Sequence, residues 1–156
     1  MASTLRIFGL CLTTFLVVGC SNQVLLDGAA KTTVTVTLDD APVEDAAVVF
    51  TPVEGGRSAS GRTDVSGVAQ MGTARVGDGV FPGEYQIVIV KSIDDPSTPP
   101  PAEEDQHEYT GRGRPVYAKQ LYLVPKKYIS TSTSGLSTIV EADVENEVTL
   151  QLNSGK

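Results

Sequence analysis

The chain has 156 residues, of which 20% are charged and 6% aromatic, and its 19 acidic and 12 basic side chains give a net charge of −7. An acidic chain argues against nucleic acid as a partner, because phosphate binding depends on clustered Lys and Arg side chains. The length is sufficient for one modest domain with a single core.

The N-terminal segment has the layout of a secretory signal. One basic side chain, Arg6, precedes an uncharged apolar segment at residues 7–18, and the small residue Gly19 precedes Cys20. This apolar segment is shorter than the about 20 residues that a membrane-spanning helix needs. The sequence therefore predicts an exported protein from which residues 1–19 are removed as a signal peptide.

The end of this segment carries a possible modification site. The motif Val17-Val18-Gly19-Cys20 resembles the lipobox of bacterial lipoproteins. The resemblance implies that a diacylglyceryl group with palmitate-type chains is attached to the thiol of Cys20, which becomes the first residue of the mature chain. Two acyl chains anchor a protein stably to a membrane, whereas one is marginal. An ordinary signal peptide followed by a coincidental cysteine is the alternative.

The anchor predicts a location outside the cytoplasm, on the cell membrane or the outer membrane. Ser21 stands where an aspartate favours retention in the inner membrane of well-studied Gram-negative bacteria, so we expect sorting to the outer membrane. Both cysteines, Cys11 and Cys20, lie in the export segment, so a chain acylated at Cys20 has neither a free thiol nor a disulfide. Its fold must then be held by a hydrophobic core alone.

Short alternating segments separated by turn signals follow. Residues 20–30 are predicted as a lipidated tether, and residues 31–38 as a strand with β-branched residues on both faces. Residues 46–53 are apolar at nearly every position and predict a buried strand. Residues 85–91 are apolar on both faces, which predicts a strand in the middle of a sheet.

Two features interrupt or connect these strands. A hairpin is predicted from residues 58–63 and 68–71, joined by a turn at residues 64–67. Residues 92–115 differ from the rest, because they are rich in proline and acidic residues and end with Arg112 and Arg114. They are predicted to form a loop or disordered insertion that is partly stiffened by polyproline geometry.

The end of the chain predicts a second hairpin. It pairs residues 136–142 with 147–152 and points Val148, Leu150 and Leu152 inward. No segment shows sustained helical periodicity. About seven short strands without helical spacers predict an all-β fold, an antiparallel Greek-key β-sandwich.

A set of short motifs lies in a fixed order along the mature chain: Thr35-Val36-Thr37-Leu38-Asp39, Pro42-Val43, Ala47-Val48-Val49-Phe50-Thr51-Pro52-Val53, Gly61-Arg62-Thr63-Asp64, Gly67, Pro82-Gly83-Glu84-Tyr85, Val124-Pro125-Lys126-Lys127-Tyr128 and Thr133-Ser134-Gly135-Leu136. This order resembles the small envelope lipoproteins, frequent in planctomycete-type bacteria, that carry a carboxypeptidase-regulatory-like, transthyretin-like domain. The resemblance implies a prealbumin-like sandwich over residues 31–153. It implies little about activity, because the function of that group is poorly known.

No catalytic, cofactor-binding or metal-binding residue is predicted. His107, the only histidine, lies among Glu103, Glu104, Asp105 and Glu108, and such a set could hold a divalent cation. Metal sites need ligands that surrounding groups hold in place, however, and a Pro-rich insertion does not provide them. The Gly-x-Ser-x-Gly motif of many serine hydrolases does not occur.

Two further chemistries are not favoured. The hydroxyisourate hydrolases, an enzymatic branch of the transthyretin-like proteins, depend on several histidines, whereas this chain contains one. An internal isopeptide bond, known in pilus-type sandwiches, needs a lysine on the first strand and an asparagine on the last. Lys31 and Asn153 are the candidates for that bond.

The predicted function is that of a non-enzymatic, membrane-anchored lipoprotein whose domain is an interaction or structural module of the bacterial cell envelope. It would contact the membrane through the lipid on Cys20 and bind an envelope protein of unknown identity. The expected contact surface is a loop at one end of the sandwich, an exposed edge strand, or the insertion at residues 92–115.

A small-ligand carrier or sensor is the alternative function. Such a protein would need a pocket of the β-sandwich with a few convergent polar groups on an apolar wall. The residues that could supply those groups are Tyr85, Tyr117, Tyr122 and Tyr128. The competing interpretation is that these tyrosines pack in the core and bind no ligand.

Overall fold

The computed structural model describes residues 24–97 and 119–155, which form mostly β-structure, as predicted. The described part contains two four-stranded sheets, a two-stranded ribbon, a 3-10 helix at Lys126–Ile129 and a short helix α1 at Thr131–Ser134. The strands are β1 Thr32–Leu38, β2 Ala41–Pro42, β3 Ala47–Pro52, β4 Ala59–Arg62, β5 Val68–Gln70, β6 Gly83–Val90, β7 Ser92–Asp94, β8 Gln120–Tyr122, β9 Leu136–Val140 and β10 Asn146–Leu152.

The first sheet is built around β1. Val34 and Val36 of β1 are fully buried, while the alternating Thr33, Thr35 and Thr37 are partly exposed, as the alternation predicts. β10 runs along one edge of β1, and β2 and β5 share the other edge. The pairing of β1 with β10 is parallel, so the prediction of a wholly antiparallel fold is wrong for these two strands.

The second sheet has the order β4-β3-β6-β9, with every pair antiparallel. β6 lies between β3 and β9, which confirms the predicted central strand. Its Tyr85, Ile87 and Ile89 are buried on one face, and Val88 and Val90 are partly buried on the other. β3 is likewise an inner strand, as its nearly continuous apolar sequence predicts.

One cluster of buried side chains joins the two sheets. The first sheet contributes Val34, Val36, Leu150 and Leu152, and the second contributes Val48, Phe50, Ile87 and Ile89. Burying one such side chain stabilises the fold by about 1.5–3 kcal/mol. Because both sheets contribute to the same cluster, the arrangement is sandwich-like.

The predicted terminal hairpin is wrong, because its two segments belong to different sheets. The hairpin predicted from residues 58–63 and 68–71 is confirmed in part: Ser60 and Gly72 exchange backbone hydrogen bonds and the amide of Asp64 donates to the carbonyl of Val68, although the two strands find their main partners elsewhere. β4 pairs with β3 and β5 with β1, while β9 pairs with β6 and β10 with β1. Alternation identifies a strand and its buried face, but the two inner faces of a sandwich are equally apolar, so it does not identify the partner. The inward side of β10 is confirmed, since Leu150 and Leu152 are buried and Val148 packs partly buried against the core.

The last residues of the predicted tether are part of the fold. The amide of Leu26 donates to the carbonyl of Asp78 at 2.9 Å, and the amide of Ala30 donates to the carbonyl of Val80 at 2.8 Å. Ala30 is buried. The fold therefore includes Leu26 and Ala30, which lie before the predicted boundary at residue 31.

The predicted insertion begins as a strand. Ser92, Ile93 and Asp94 form β7, which pairs with β8 in the ribbon, so the loop prediction is wrong for these three residues. Only the middle residue of this strand is apolar, so its sequence shows no alternation from which a strand could be predicted. Most of the insertion, with Arg112 and Arg114, lies outside the described residues.

Candidate functional site

The β7–β8 ribbon is the candidate functional site. Its register places Ile93 opposite Leu121, with Ser92 opposite Tyr122 and Asp94 opposite Gln120. The ribbon continues beyond the end of β6, since the amide of Leu123 donates to the carbonyl of Lys91 at 2.8 Å. It therefore projects from the end of the second sheet at which β6 finishes.

One face of the ribbon carries three exposed aliphatic side chains. Leu121 and Leu123 are two residues apart and share a face, and Ile93 lies directly across from Leu121 on that face. Their exposed fractions are 46% for Ile93, 47% for Leu121 and 41% for Leu123. In the two main sheets the corresponding side chains are buried between layers, whereas this face is open among the described residues.

The other face of the ribbon is polar. The side-chain amide of Gln120 donates to the carboxylate of Asp94 across the two strands. The ammonium group of Lys126 lies 5.9 Å from the ring centroid of Tyr122, within the range of a cation–π contact. The ribbon is thus amphipathic, with one face suited to water and the other to an apolar partner.

Asp95 closes the outer end of the ribbon. Its amide donates to the carbonyl of Lys119 at 2.7 Å, and its carboxylate lies 3.6 Å from the Lys119 ammonium. The carboxylate also accepts hydrogen bonds from the hydroxyl and the amide of Ser97, and these bonds, more than the ammonium, lower the pKa of Asp95. Asp95 and Lys119, which lie close to the ends of the two described ranges, are therefore held together.

The opposite end of the fold contains a groove of about 900 Å³. Its walls come from the start of the described chain, the loop after β3 and the segment that leads into β6. The guanidinium carbon of Arg57 lies 5.6 Å from the ring centroid of Phe81. The lining includes Leu26, Pro52, Glu54, Arg57, Phe81 and Tyr85. The groove is large enough for a small ligand.

The candidate tyrosines do not surround this groove or any other single site. Tyr85 is buried, donates its hydroxyl to the carbonyl of Phe81 at 2.8 Å and has a pKa raised by burial. Tyr128 is buried near the other end, where its hydroxyl accepts from the amide of Asn153 at 3.0 Å. Tyr122 belongs to the ribbon, and Tyr117 lies outside the described residues. Core packing accounts for Tyr85 and Tyr128.

The structure also excludes the isopeptide bond between Lys31 and Asn153, which the sequence did not favour. Lys31 lies at the start of β1, where its carbonyl accepts from the amide of Asn146 and its ammonium pairs with Glu145. Asn153 follows β10 at the far end, because Leu38 is opposite Leu152 in the parallel register. Asn153 is thus about eight residues along the strands from Lys31, and at about 3.3 Å per residue the two backbone positions are about 26 Å apart.

The other predicted site residues lie outside the described part. Cys20 precedes it, and His107 with its acidic neighbours falls between its two ranges. Within residues 24–97 and 119–155, no group of three or more His, Cys, Asp or Glu side chains is placed to hold a metal ion. Nor does any helix of those ranges have the length and apolar content to cross a membrane.

Comparison with known proteins gives no relative. The chain matches no protein-family model, no curated protein and no solved structure.

Sequence analysis missed the apolar face of the ribbon. Ile93 is a single aliphatic residue between polar ones, so it carries no periodicity. Leu121-Tyr122-Leu123 is an apolar run that favours a strand, but a run of three residues does not reveal which face is buried. The only sequence feature that could have indicated this face is the presence of these apolar residues beside an otherwise polar insertion.

Proposed function

We propose that this protein is a non-enzymatic lipoprotein, anchored through a diacylglyceryl group on Cys20, that serves as an interaction module of the bacterial cell envelope. Its domain would be carboxypeptidase-regulatory-like, with a Greek-key, transthyretin-like topology. The connections from β4 to β5 and from β9 to β10 support that topology, because each passes from one sheet to the other. A role without catalysis is favoured because the hydrolases with this type of fold need several histidines and the chain has one.

The observation that carries the proposal is the open aliphatic face of the β7–β8 ribbon. Folding buries the inward-facing apolar side chains of both main sheets, yet Ile93, Leu121 and Leu123 remain together on one exposed face. Clustered apolar side chains on a surface, bordered by polar groups, are typical of protein-binding sites. The polar face of the ribbon, which carries Asp94, Gln120 and Tyr122, borders this aliphatic face.

The position of the ribbon suits contact with a partner away from the membrane. The described chain begins beside the segment that leads into β6, and the ribbon follows the end of β6. β6 has eight residues and is about 26 Å long at about 3.3 Å per residue. A domain anchored by its first residue would therefore present the ribbon on its far side.

Co-purification from cells tests the proposal. The tagged full-length protein would be compared with a double variant, Leu121→Ser with Leu123→Ser, and with Cys20→Ala. Ile139→Ser is the matched control, since Ile139 is an aliphatic residue that is exposed on the edge strand β9. We expect a discrete envelope protein to be recovered with the native chain and the control, and lost with the double variant and with Cys20→Ala.

Two measurements keep this test interpretable. Melting temperatures of the double variant and the control should agree with that of the native protein, because none of the three side chains belongs to the buried cluster. Metabolic palmitate labelling should mark the native protein and not Cys20→Ala. Equal recovery of the partner with the double variant would overturn the role of the ribbon, and an unlabelled native protein would overturn the anchor.

The groove beside Phe81 favours a second candidate function, that of a small-ligand carrier. It combines the apolar walls of Phe81 and Pro52 with the cationic Arg57 and is partly open to solvent. A ligand at one hundred times its dissociation constant stabilises a protein by about 2.7 kcal/mol. Screening small anionic and aromatic compounds by thermal shift, with Arg57→Ala as the control, would reveal such a ligand. No shift with any compound, or the same shift in Arg57→Ala, would count against this function.

A further inference from the structure

A loop beside the start of the chain presents an apolar side chain to solvent. Residues 73–78 connect the end of the first sheet to the segment before β6, and the valine in this loop, Val76, is 77% exposed. Arg75 precedes it and is also exposed. The loop is not held by packing of its own side chains, so its shape needs another explanation.

The buried carboxylate of Asp78 fixes this loop. It accepts hydrogen bonds from the amide of Thr73 at 2.7 Å, from that of Ala74 at 3.2 Å and from that of Arg75 at 2.8 Å. Three backbone donors converging on one carboxylate hold the loop in a single conformation. The side chains of Arg75 and Val76 are thereby directed outward on a rigid support.

The first described residues extend the same surface. Leu26 donates its amide to the carbonyl of Asp78, and Leu25 packs on Gly79, where an added Cβ would lie 3.2 Å from the Leu25 Cδ2 atom. Val24, immediately before, is 86% exposed. We call the set Val24, Leu25, Arg75 and Val76 the anchor-side patch.

We propose that the anchor-side patch rests on the lipid headgroups of the membrane in which the protein is anchored. This inference rests on the proposed lipidation of Cys20. The hydrogen-bonded Leu26 lies six positions after Cys20, and six steps of up to about 3.6 Å span at most about 22 Å. A lipid on Cys20 therefore keeps the patch close to the bilayer surface at all times.

The chemistry of the patch matches that surface. Aliphatic side chains gain free energy when they enter the boundary between headgroups and acyl chains, and a guanidinium binds lipid phosphate through paired hydrogen bonds. The acidic side chains Asp27 and Glu54 line the neighbouring groove. Contact through the patch would set the domain upright, with the β7–β8 ribbon pointing away from the membrane.

The experiment uses the absence of other thiols from a mature chain that is acylated at Cys20. Single variants Val76→Cys and Val65→Cys would carry a polarity-sensitive fluorophore in the lipidated full-length protein, reconstituted in phosphatidylethanolamine–phosphatidylglycerol vesicles. Val65 is the matched control because it is a valine of 75% exposure, in the turn that follows β4 at the other end of the fold. Lipids with a nitroxide at headgroup depth would quench the fluorophore.

We expect quenching at position 76 to exceed that at position 65 by at least threefold, and Arg75→Glu to reduce it at position 76. Equal quenching at the two positions, in a protein whose intact mass shows the lipid on Cys20, would overturn this inference and leave the proposed anchor in place. An intact mass without the lipid would overturn both. Since Val65 and Val76 are highly exposed, neither replacement should alter the thermal melt.

Discussion

The two ends of the sandwich are built differently. At the end where the described chain begins, a buried carboxylate gathers three backbone amides, and the incoming segment is hydrogen-bonded to the same loop. At the other end, the β7–β8 ribbon is paired across its backbone but leaves three aliphatic side chains exposed on one face. Both ends expose apolar side chains, but the anchor-side patch lies beside the proposed anchor, whereas the ribbon lies at the end away from it and is therefore the better candidate for binding a partner protein.

The largest expected difference lies between two isoleucines in strands. Ile87 is fully buried in the shared core, and Ile93 is half-exposed on the ribbon. We expect Ile87→Ala to lower the free energy of unfolding by about 2–5 kcal/mol through lost burial and a residual cavity. Ile93→Ala should change it by no more than about 0.5 kcal/mol. Urea unfolding of both variants measures this contrast, and a similar large loss for Ile93→Ala would show that the ribbon belongs to the folded core.

The next effect concerns the carboxylate that closes the anchor-side end. Asp78→Asn retains one acceptor oxygen but replaces the other with an amide group that cannot accept from the loop. We expect a loss of about 2 kcal/mol, the range for a hydrogen bond to a charged group. Asp27→Asn, an exposed replacement on the same side of the fold, is the control and should have little effect. Unchanged stability of Asp78→Asn, together with unchanged amide exchange at residues 73–75, would contradict a loop fixed by this carboxylate.

A smaller effect is expected at the buried hydroxyl of Thr63, near the other end. It accepts from the amide of Ala46 at 2.8 Å and donates to the carbonyl of Val43 at 2.6 Å. Thr63→Val keeps the shape and leaves both backbone groups without this partner, so we expect a loss of about 1–2 kcal/mol. Thr149→Val on the exposed side of β10 should be nearly neutral. Thermal unfolding of the two valine variants tests whether Thr63→Val loses more stability than Thr149→Val.

The smallest effect is a pH dependence from the exposed turn between β4 and β5. The Ser66 hydroxyl, with the amides of Val68 and Ser66, holds the pKa of the Asp64 carboxyl below its usual value. A lowered folded-state pKa contributes stability above the unfolded-state value near 3.9, and this contribution disappears as the pH falls through the folded-state pKa. NMR titration should show the pKa of Asp64 rising in Ser66→Ala. An unchanged pKa would show that the hydroxyl is not its main cause.

Sequence analysis predicted the strands better than their partners. The alternation in β1 and the apolar content of β3 and β6 follow directly from burial on one or both faces of a sheet. The parallel pairing of β1 with β10 could not be predicted, because its partners lie more than a hundred residues apart and either inner face accepts the same side chains. The ribbon was hidden for another reason, since a three-residue strand is too short for a period to be recognised.

The groove and the anchor-side patch were equally beyond sequence analysis. Arg57 and Phe81 meet only through the folding of two distant loops. Asp78 lies in a Gly-rich segment that predicts a turn, but nothing in that segment indicates a buried carboxylate that binds three amides. Apolar residues 24–26 were assigned to a tether because a tether and the first hydrogen-bonded residues of a fold have similar composition.

Site-specific photocrosslinking in living cells tests the central claim most directly. A photoreactive amino acid would replace Leu121 on the ribbon or, as the control, Val65 in the exposed turn after β4. The account predicts a single adduct of defined mass, larger than the monomer, from position 121 and none from position 65. It would be contradicted by the same adducts from both positions, by no adduct from position 121, or by a product of monomer mass alone, which would mean that this chain covers its own apolar face.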